Sequence, residues 1–287
     1  MDRTTEGWLN GALGVLIFSG SLPATRVAVA GFDPLFLTGA RASIAGLIAL
    51  CLLALFRESR PSRSELLSLV GVALGVVVGF PLLSALALTR MTSAHSLVFV
   101  GLLPLATAAF GVLRGGERPR PGFWLCALAG GALVAGFAWR RGDGAISSGD
   151  LLMLGAIFVA GFGYAEGGLL SRRLGGWRVI CWALALSLPA MLVWTAVSAP
   201  EGLLAAPPRS WVALAYVALF SMLIGFVFWY RGLALGGIAA VGQLQLLQPL
   251  LGLGLAALFL GETVELSLVF VTVGVVAAVA GAKALAK

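Results

Sequence analysis

Charge is scarce in this chain. Of 287 residues only 11% are Asp, Glu, Lys or Arg, against 60% hydrophobic, and the mean hydropathy is +1.03. A globule facing water on all sides carries about a quarter charged residues, so this composition excludes one. Histidine occurs once, and the three cysteines, Cys51, Cys126 and Cys181, all lie in apolar stretches without a CxxC pair. That spacing excludes a disulfide framework and a metal cage. No GxxxxGK[ST] segment is present, which excludes an ATP motor of that kind. No pair of Asp residues and no Asp/His chain lies within an apolar run, so an obligatory ion pump is not indicated. One His and scattered acids leave no nucleophile–base cluster, and no enzyme, cofactor or metal is expected.

Long apolar runs are what the chain has in abundance. Spans are expected at 7–29, 34–56, 66–88, 92–113, 122–139, 150–171, 178–198, 210–232, 238–260 and 266–285. About 20 apolar residues cross a bilayer as a helix, so the fold class is all-α integral membrane with ten transmembrane helices. The first span ends in Ala28-Val29-Ala30, which looks like a signal-peptide cleavage site, but Arg26 and the thin basic segment before it favour a retained helix. The net charge of +7 serves topology rather than nucleic acid. Thirteen basic residues (including Arg57, Arg60, Arg63, Arg172, Arg173 and Arg178) fall on one side of the expected spans, and four (Arg90, Arg140, Arg141, Arg209) on the other. The positive-inside rule then puts both termini in the cytoplasm. Trp8, Trp124, Trp139, Trp177 and Trp211 stand at span ends, as an interfacial belt would.

The chain repeats itself at an offset of 145. Ala94 meets Ala239, Pro104 meets Pro249, Gly116 meets Gly261 and Glu117 meets Glu262. Two halves follow, 7–139 and 150–285, each of five helices. An odd number per half gives inverted topology, a device that lets a site near midplane face either side in turn.

These motifs, Leu102-Leu103-Pro104 to Gly116-Glu117 and Leu247-Gln248-Pro249 to Gly261-Glu262, resemble the EamA domain of the drug/metabolite transporter superfamily. Within it, the ten-helix aromatic and neutral amino-acid exporter branch is the most similar. The resemblance implies a bacterial inner-membrane exporter with a central cavity lined by helices 1, 3, 4, 6, 8 and 9. Its partners would be an amino acid and the lipid bilayer, with no nucleic acid, and ten helices enclose a cavity in a monomer. Other small metabolites or drugs, such as a nucleotide-sugar or a cationic drug, are the alternative cargo. An intramembrane lipid-modifying enzyme is the alternative of a different class.

Several residues stand out within the spans. Ser19-Gly20-Ser21-Leu22-Pro23 interrupts the first helix, and Gly161-Phe162-Gly163-Tyr164 occupies the corresponding place in the sixth. Interruptions at matching places point to a binding site, with freed backbone groups and Ser19 and Ser21 facing the charged ends of a substrate. Gly71, Gly75 and Gly79 recur on one face of the third helix, where small residues let helices approach, and Pro81 is placed to kink it. With Gly20, Pro23, Pro104 and Pro249 they form the gating and packing set. Gln243, Gln245 and Gln248 stud the ninth helix, either bonding neighbouring helices or meeting substrate. Phe80, Phe99 and Tyr164 offer aromatic contact, and His95 lies four residues before Phe99. Glu166 and Arg41 are ionisable residues inside spans, where function is the default hypothesis. Glu166 and His95 are candidates for coupling; for Glu166, Arg41 and Arg26, snorkelling to the interface is the simpler expectation.

Overall fold

A computed structural model describes residues 2–116, 120–141, 146–261 and 265–285. Glu117, Glu262, Arg118 and Lys287 lie outside the described residues, as do the side chains of Trp139, Arg140, Arg141 and Lys283. Among the described residues there is no strand. The helices fall on the apolar runs: α1 Arg3–Ala28, α2 Pro34–Leu55, α3 Arg63–Leu88, α4 Ser93–Gly115, α5 Pro121–Arg141, α6 Ser148–Leu174, α7 Gly176–Val197, α8 Pro208–Gly236, α9 Ile238–Leu260 and α10 Leu266–Ala284. Eight of them are long and apolar enough to cross a membrane; α5 and α10 have shorter apolar stretches. Leu113, Leu125, Phe158, Val193 and Leu258 are all more than 60% exposed on helix surfaces. An apolar exterior of this extent is stable in lipid and not in water.

Polar punctuation sets the helix starts. Asp33 caps α2 by accepting from the Leu35 amide at 2.8 Å, with Pro34 in the first turn. Ser62 with Glu65 and Ser147 with Asp150 form capping boxes on α3 and α6. The ends of α4 and α9 show the repeat in backbone terms. Gly116 (φ 68°) and Gly261 (φ 61°) both stop their helices in the left-handed region, where a residue without Cβ is unstrained.

Packing obeys the same two-fold relation. α1 packs on α8 and α6 on α3; α4 packs on α6 and α9 on α1; α2 meets α7, α4 meets α9 and α5 meets α10. Exchanging the halves maps this set of contacts onto itself. The pseudo-axis therefore runs between the pairs α2–α7, α4–α9 and α5–α10.

Small residues make the tightest of these contacts. A Cβ on Gly75 would sit 2.7 Å from the Val159 carbonyl oxygen and 2.9 Å from the Gly163 Cα on α6; one on Gly7 would sit 2.6 Å from the Gly236 amide nitrogen on α8. Because the obstacles are backbone, a side-chain shift cannot relieve them. Gly75→Leu is expected to force α3 from α6 and destabilise the fold by about 3 kcal/mol, the upper range for overpacking. A drop in the thermal unfolding midpoint and loss of a monodisperse elution peak would register it.

The continuous course of α6 departs from expectation. Gly161 and Gly163 do not interrupt it: they lie against Ala106 and Thr107 of α4 and against Gly75 and Val76 of α3. Without a proline, glycines that relieve close packing leave the hydrogen-bond ladder whole. α1 does break at Gly20, into Arg3–Ser19 and Ser21–Ala28. The wide turns of α3 are also not peculiar to Pro81. A π-helical stretch, Ala73–Gly79, precedes it, and α8 carries one at the equivalent place, Val217–Ile224, where no proline follows.

Candidate functional site

The breaks and wide turns converge on a cavity between the halves. It is lined by Phe18 and Ser21 of α1, Arg41 of α2, Val76, Phe80 and Pro81 of α3, Tyr164 of α6, Ser221 and Phe226 of α8, and Gln248 of α9. Val76 and Ser221, and Pro81 and Phe226, are pairs at the 145-residue offset, so the two repeats contribute matching positions from opposite sides. The cavity has a volume of about 10 Å³, room for a single water molecule.

Four of the ten lining residues are aromatic. Phe18 lies 6.3 Å from Tyr164 in a stacked arrangement and 5.0 Å from Phe226. Tyr164 packs edge-on against Phe226 at 5.7 Å and Trp229 at 5.6 Å, and Phe226 reaches Tyr230 at 5.2 Å. Tyr230 donates its hydroxyl hydrogen to the Gly163 carbonyl at 3.0 Å, which fixes the ring.

One cation stands in this apolar setting. Arg41 is 3% exposed, so it does not snorkel as its position along α2 had suggested; its face of the helix turns inward. Its Nη2 donates to the Val217 carbonyl at 3.2 Å and to the Ser221 hydroxyl at 3.3 Å, and Ser221 in turn shares a 2.8 Å hydrogen bond with Ser21. Val217 opens the π-helical stretch of α8, where the widened ladder redirects carbonyls. The Nε of Arg41 is buried without a partner, and no Asp or Glu lines the cavity. Burying an uncompensated charge costs several kcal/mol. That cost is carried at the meeting point of both repeats.

Gln248 adds an acceptor. Its Nε2 donates to the Phe18 carbonyl at 3.3 Å, while its Oε1 is buried with no partner. Gln243 and Gln245 are buried on the 3₁₀ turn Gln243–Leu246, and none of their amide atoms has a partner. The expected bonding between helices is thus confined to Gln248. Pro249 explains the turn: a proline clashes with the carbonyl four residues back and removes a donor, so the ladder tightens before it. The first repeat does the same before Pro104, through Gly101 to Val98 and Leu102 to Phe99 backbone bonds.

Of the residues singled out in the sequence, Ser21, Phe80, Pro81, Tyr164 and Gln248 meet in this cavity. Ser19 does not join them, because its hydroxyl bonds to Val15 of its own helix at 2.7 Å. Gly20 and Pro23 instead line an apolar cavity of about 400 Å³ between the C-terminal end of α1, the N-terminal end of α8 and the C-terminal end of α9. His95 and Phe99 stack on each other at 5.7 Å away from the central cavity. There His95 Nε2 lies 3.2 Å from Asp150 Oδ1 on α6, an Asp/His pair invisible in either span alone. Arg41, singled out as an ionisable residue within a span but expected to snorkel, joins the residues of the central cavity, whereas Phe18, Ser221 and Phe226 were missed. Phe226 and Trp229 stand in the last turns of an apolar run that stops at Arg231, where an interfacial belt reads the same, so the sequence offered no signal for an aromatic interior.

Glu166 is not a snorkelling residue either. Only 4% exposed, it accepts from Arg114 Nε at 2.9 Å, Arg114 Nη2 at 3.1 Å and Ser68 Oγ at 2.6 Å. Among the described residues three more ion pairs lie at the same end of the bundle: Glu6–Arg231, Glu58–Arg178 at 2.8 Å and Glu65–Arg173 at 3.7 Å. Each of the four joins one repeat to the other. Arg26, at the opposite end, donates to the Leu88 carbonyl that ends α3.

Apolar helices, a two-fold repeat and a charged cavity on the pseudo-axis define a multi-pass membrane transporter. The chain belongs to the EamA-like transporter family, whose model matches residues 5–138 and 147–282. It is 62% identical over 287 residues, covering the whole of both chains, to a protein of Bacillus subtilis (strain 168) described as "Uncharacterized transporter YdeK". A solved structure described only as the crystal structure of a protein shares the fold, with a TM-score of 0.74 at 19% identity over 100% of this chain and 98% of that one.

Proposed function

We propose that the protein carries amino acids, neutral and aromatic ones, out of the cell by alternating access of a central site. The observation that carries this reading is Arg41, a buried cation without a counter-ion, facing an aromatic cage and the free Oε1 of Gln248. A guanidinium recognises a carboxylate through charge-assisted hydrogen bonds. The Gln248 oxygen is placed to accept from an ammonium group. Phe18, Phe80, Tyr164 and Phe226 supply the surface for an apolar or aromatic side chain. A phosphate-rich nucleotide-sugar would call for more than this one cation, and a cationic drug would be repelled by it. An organic acid without an ammonium group is the second reading, favoured by the absence of any carboxylate in the cavity lining.

In this reading ten helices span a bacterial inner membrane as two inverted repeats, 7–139 and 150–285, with both termini in the cytoplasm, and a single copy suffices. The four inter-repeat ion pairs then lie at the cytoplasmic end and hold it shut. With room for one water, the cavity must widen to take substrate, and the glycine contacts of α3 with α6 and α1 with α8 are the surfaces on which the repeats rock. Glu166 and His95 act in the closures at the two ends rather than at the substrate.

The protein reconstituted into liposomes is expected to show saturable, mutually competitive movement of radiolabelled threonine, methionine, phenylalanine and tryptophan. Absence of movement for all four, in vesicles holding folded protein, refutes the amino-acid assignment. Phe226→Ala is expected to weaken phenylalanine and tryptophan about tenfold by removing an aromatic partner, while threonine changes little. Competition curves against the four amino acids measure that difference.

A further inference from the structure

A third cavity, of about 460 Å³, lies at the end of the bundle where the ion pairs are, away from the central site. It is bounded by the first turn of α1, the last turns of α6 and α8, and the start of α7. Three guanidinium groups line it, from Arg3, Arg178 and Arg231, against one carboxylate, Glu6. Glu58 engages Arg178 through Nε at 2.8 Å, and Glu6 takes both of its Arg231 contacts on Oε1. Arg3 has no ion pair or hydrogen bond among the described residues. One positive charge and several guanidinium donors are therefore left over.

Two further features face the same space. Helix α7 begins there, at Gly176, after Gly175 at φ 89°, so its first-turn amides and the positive end of its dipole border the cavity. Ser171, another lining residue, is 4% exposed, and its Oγ is buried with no hydrogen-bond partner. The rest of the wall is apolar, and the Trp177 ring stands 5.8 Å from the Arg178 guanidinium. A cationic mouth joined to an apolar wall, beside a tryptophan at a helix end, fits an anionic group attached to a hydrocarbon body.

We propose that this cavity binds a phosphate group, presented by the headgroup of an acidic phospholipid. The headgroup anion meets Arg3, the free arms of Arg178 and Arg231 and the α7 amides, and its acyl chains leave along the apolar wall. The bound lipid spans helices of both repeats at the end where the ion pairs join them, so it would add to that closure. The proposal stands whatever the central site carries.

The test uses the full-length protein in a neutral detergent, with dioleoylphosphatidylglycerol, dioleoylphosphatidylcholine or inorganic phosphate added. Native mass spectrometry reads retained lipid, and thermal unfolding reads stabilisation. Phosphatidylglycerol is expected to be retained and to raise the unfolding midpoint, with phosphatidylcholine doing neither. Arg3→Gln, which breaks no ion pair, is expected to weaken the phosphatidylglycerol response about fivefold, the factor for one basic residue near an anionic surface. Ala234→Trp fills the cavity and is expected to abolish the response. If inorganic phosphate alone raises the midpoint as much, and Ala234→Trp removes that rise, the phosphate site stands and a soluble phosphate compound replaces the lipid as its source. A phosphatidylglycerol response matched by phosphatidylcholine, or undiminished in both variants, overturns the proposal. Should Ala234→Trp fail to fold, the dose response of Arg3→Gln decides alone, since that side chain is exposed and unpartnered.

Discussion

Arg41→Gln is expected to lower substrate affinity about a hundredfold and at the same time to raise the stability of the protein. The two effects share one cause. In the structure the guanidinium is buried with a carbonyl and a hydroxyl for company and no carboxylate. Charge-assisted hydrogen bonds to a substrate carboxylate contribute about 3 kcal/mol, and their loss is about two powers of ten in affinity. Removing the charge also removes its desolvation cost, so the substrate-free protein unfolds at a higher temperature. Gain of stability with loss of function is the signature of a site that carries strain for a ligand. A structural arginine would show the reverse, lower stability with unchanged transport. Arg41→Lys tests geometry: the charge persists but the planar fork does not, and affinity is expected to fall between the two. Equilibrium binding and thermal unfolding on the same preparations separate these cases.

The second large effect belongs to the Arg114–Glu166 pair. Glu166 is buried and held by a bidentate contact and by Ser68, whereas Arg114 is half exposed. Arg114→Ala leaves a buried carboxylate with only a hydroxyl partner and is expected to cost about 3 kcal/mol. Glu166→Gln keeps the shape and removes the charge, so it costs less. Both loosen the link between α4 and α6 at the end where the other inter-repeat ion pairs are exposed and individually weak. A cysteine at Val76, in a background without the three native cysteines, is expected to react faster with a membrane-impermeant thiol reagent added on that side. The double variant is expected to regain stability relative to Arg114→Ala, because no orphan carboxylate remains. Unchanged labelling in both single variants would show that the pair does not hold the end closed.

How much of this was readable beforehand depends on distance along the chain. Helix positions follow from the thickness of a bilayer, and the two halves from Pro104/Pro249 and Gly116/Gly261, so both are written locally. The central site is not. Arg41 looks like a snorkelling residue until α8 supplies the Val217 carbonyl from 176 positions away. Glu166 finds Arg114 at a separation of 52, and His95 finds Asp150 on a different helix. An apolar helix has no polar face to announce which side packs inward, and in lipid both sides read alike. The glycines of α6 misled for a related reason. Gly161 and Gly163 carry the composition of a break, but only the neighbours at Ala106 and Gly75 show that they serve close packing.

The claim at the centre of this account is that the cavity recognises a carboxylate beside an aromatic body. It is tested most directly by competition against radiolabelled phenylalanine in proteoliposomes, using phenethylamine, which lacks the carboxylate, and hydrocinnamate, which lacks the ammonium group. The account predicts that hydrocinnamate competes measurably, that phenethylamine fails at comparable concentration, and that the difference disappears in Arg41→Gln. Competition by phenethylamine equal to that of phenylalanine would show that no carboxylate is read, and would contradict it.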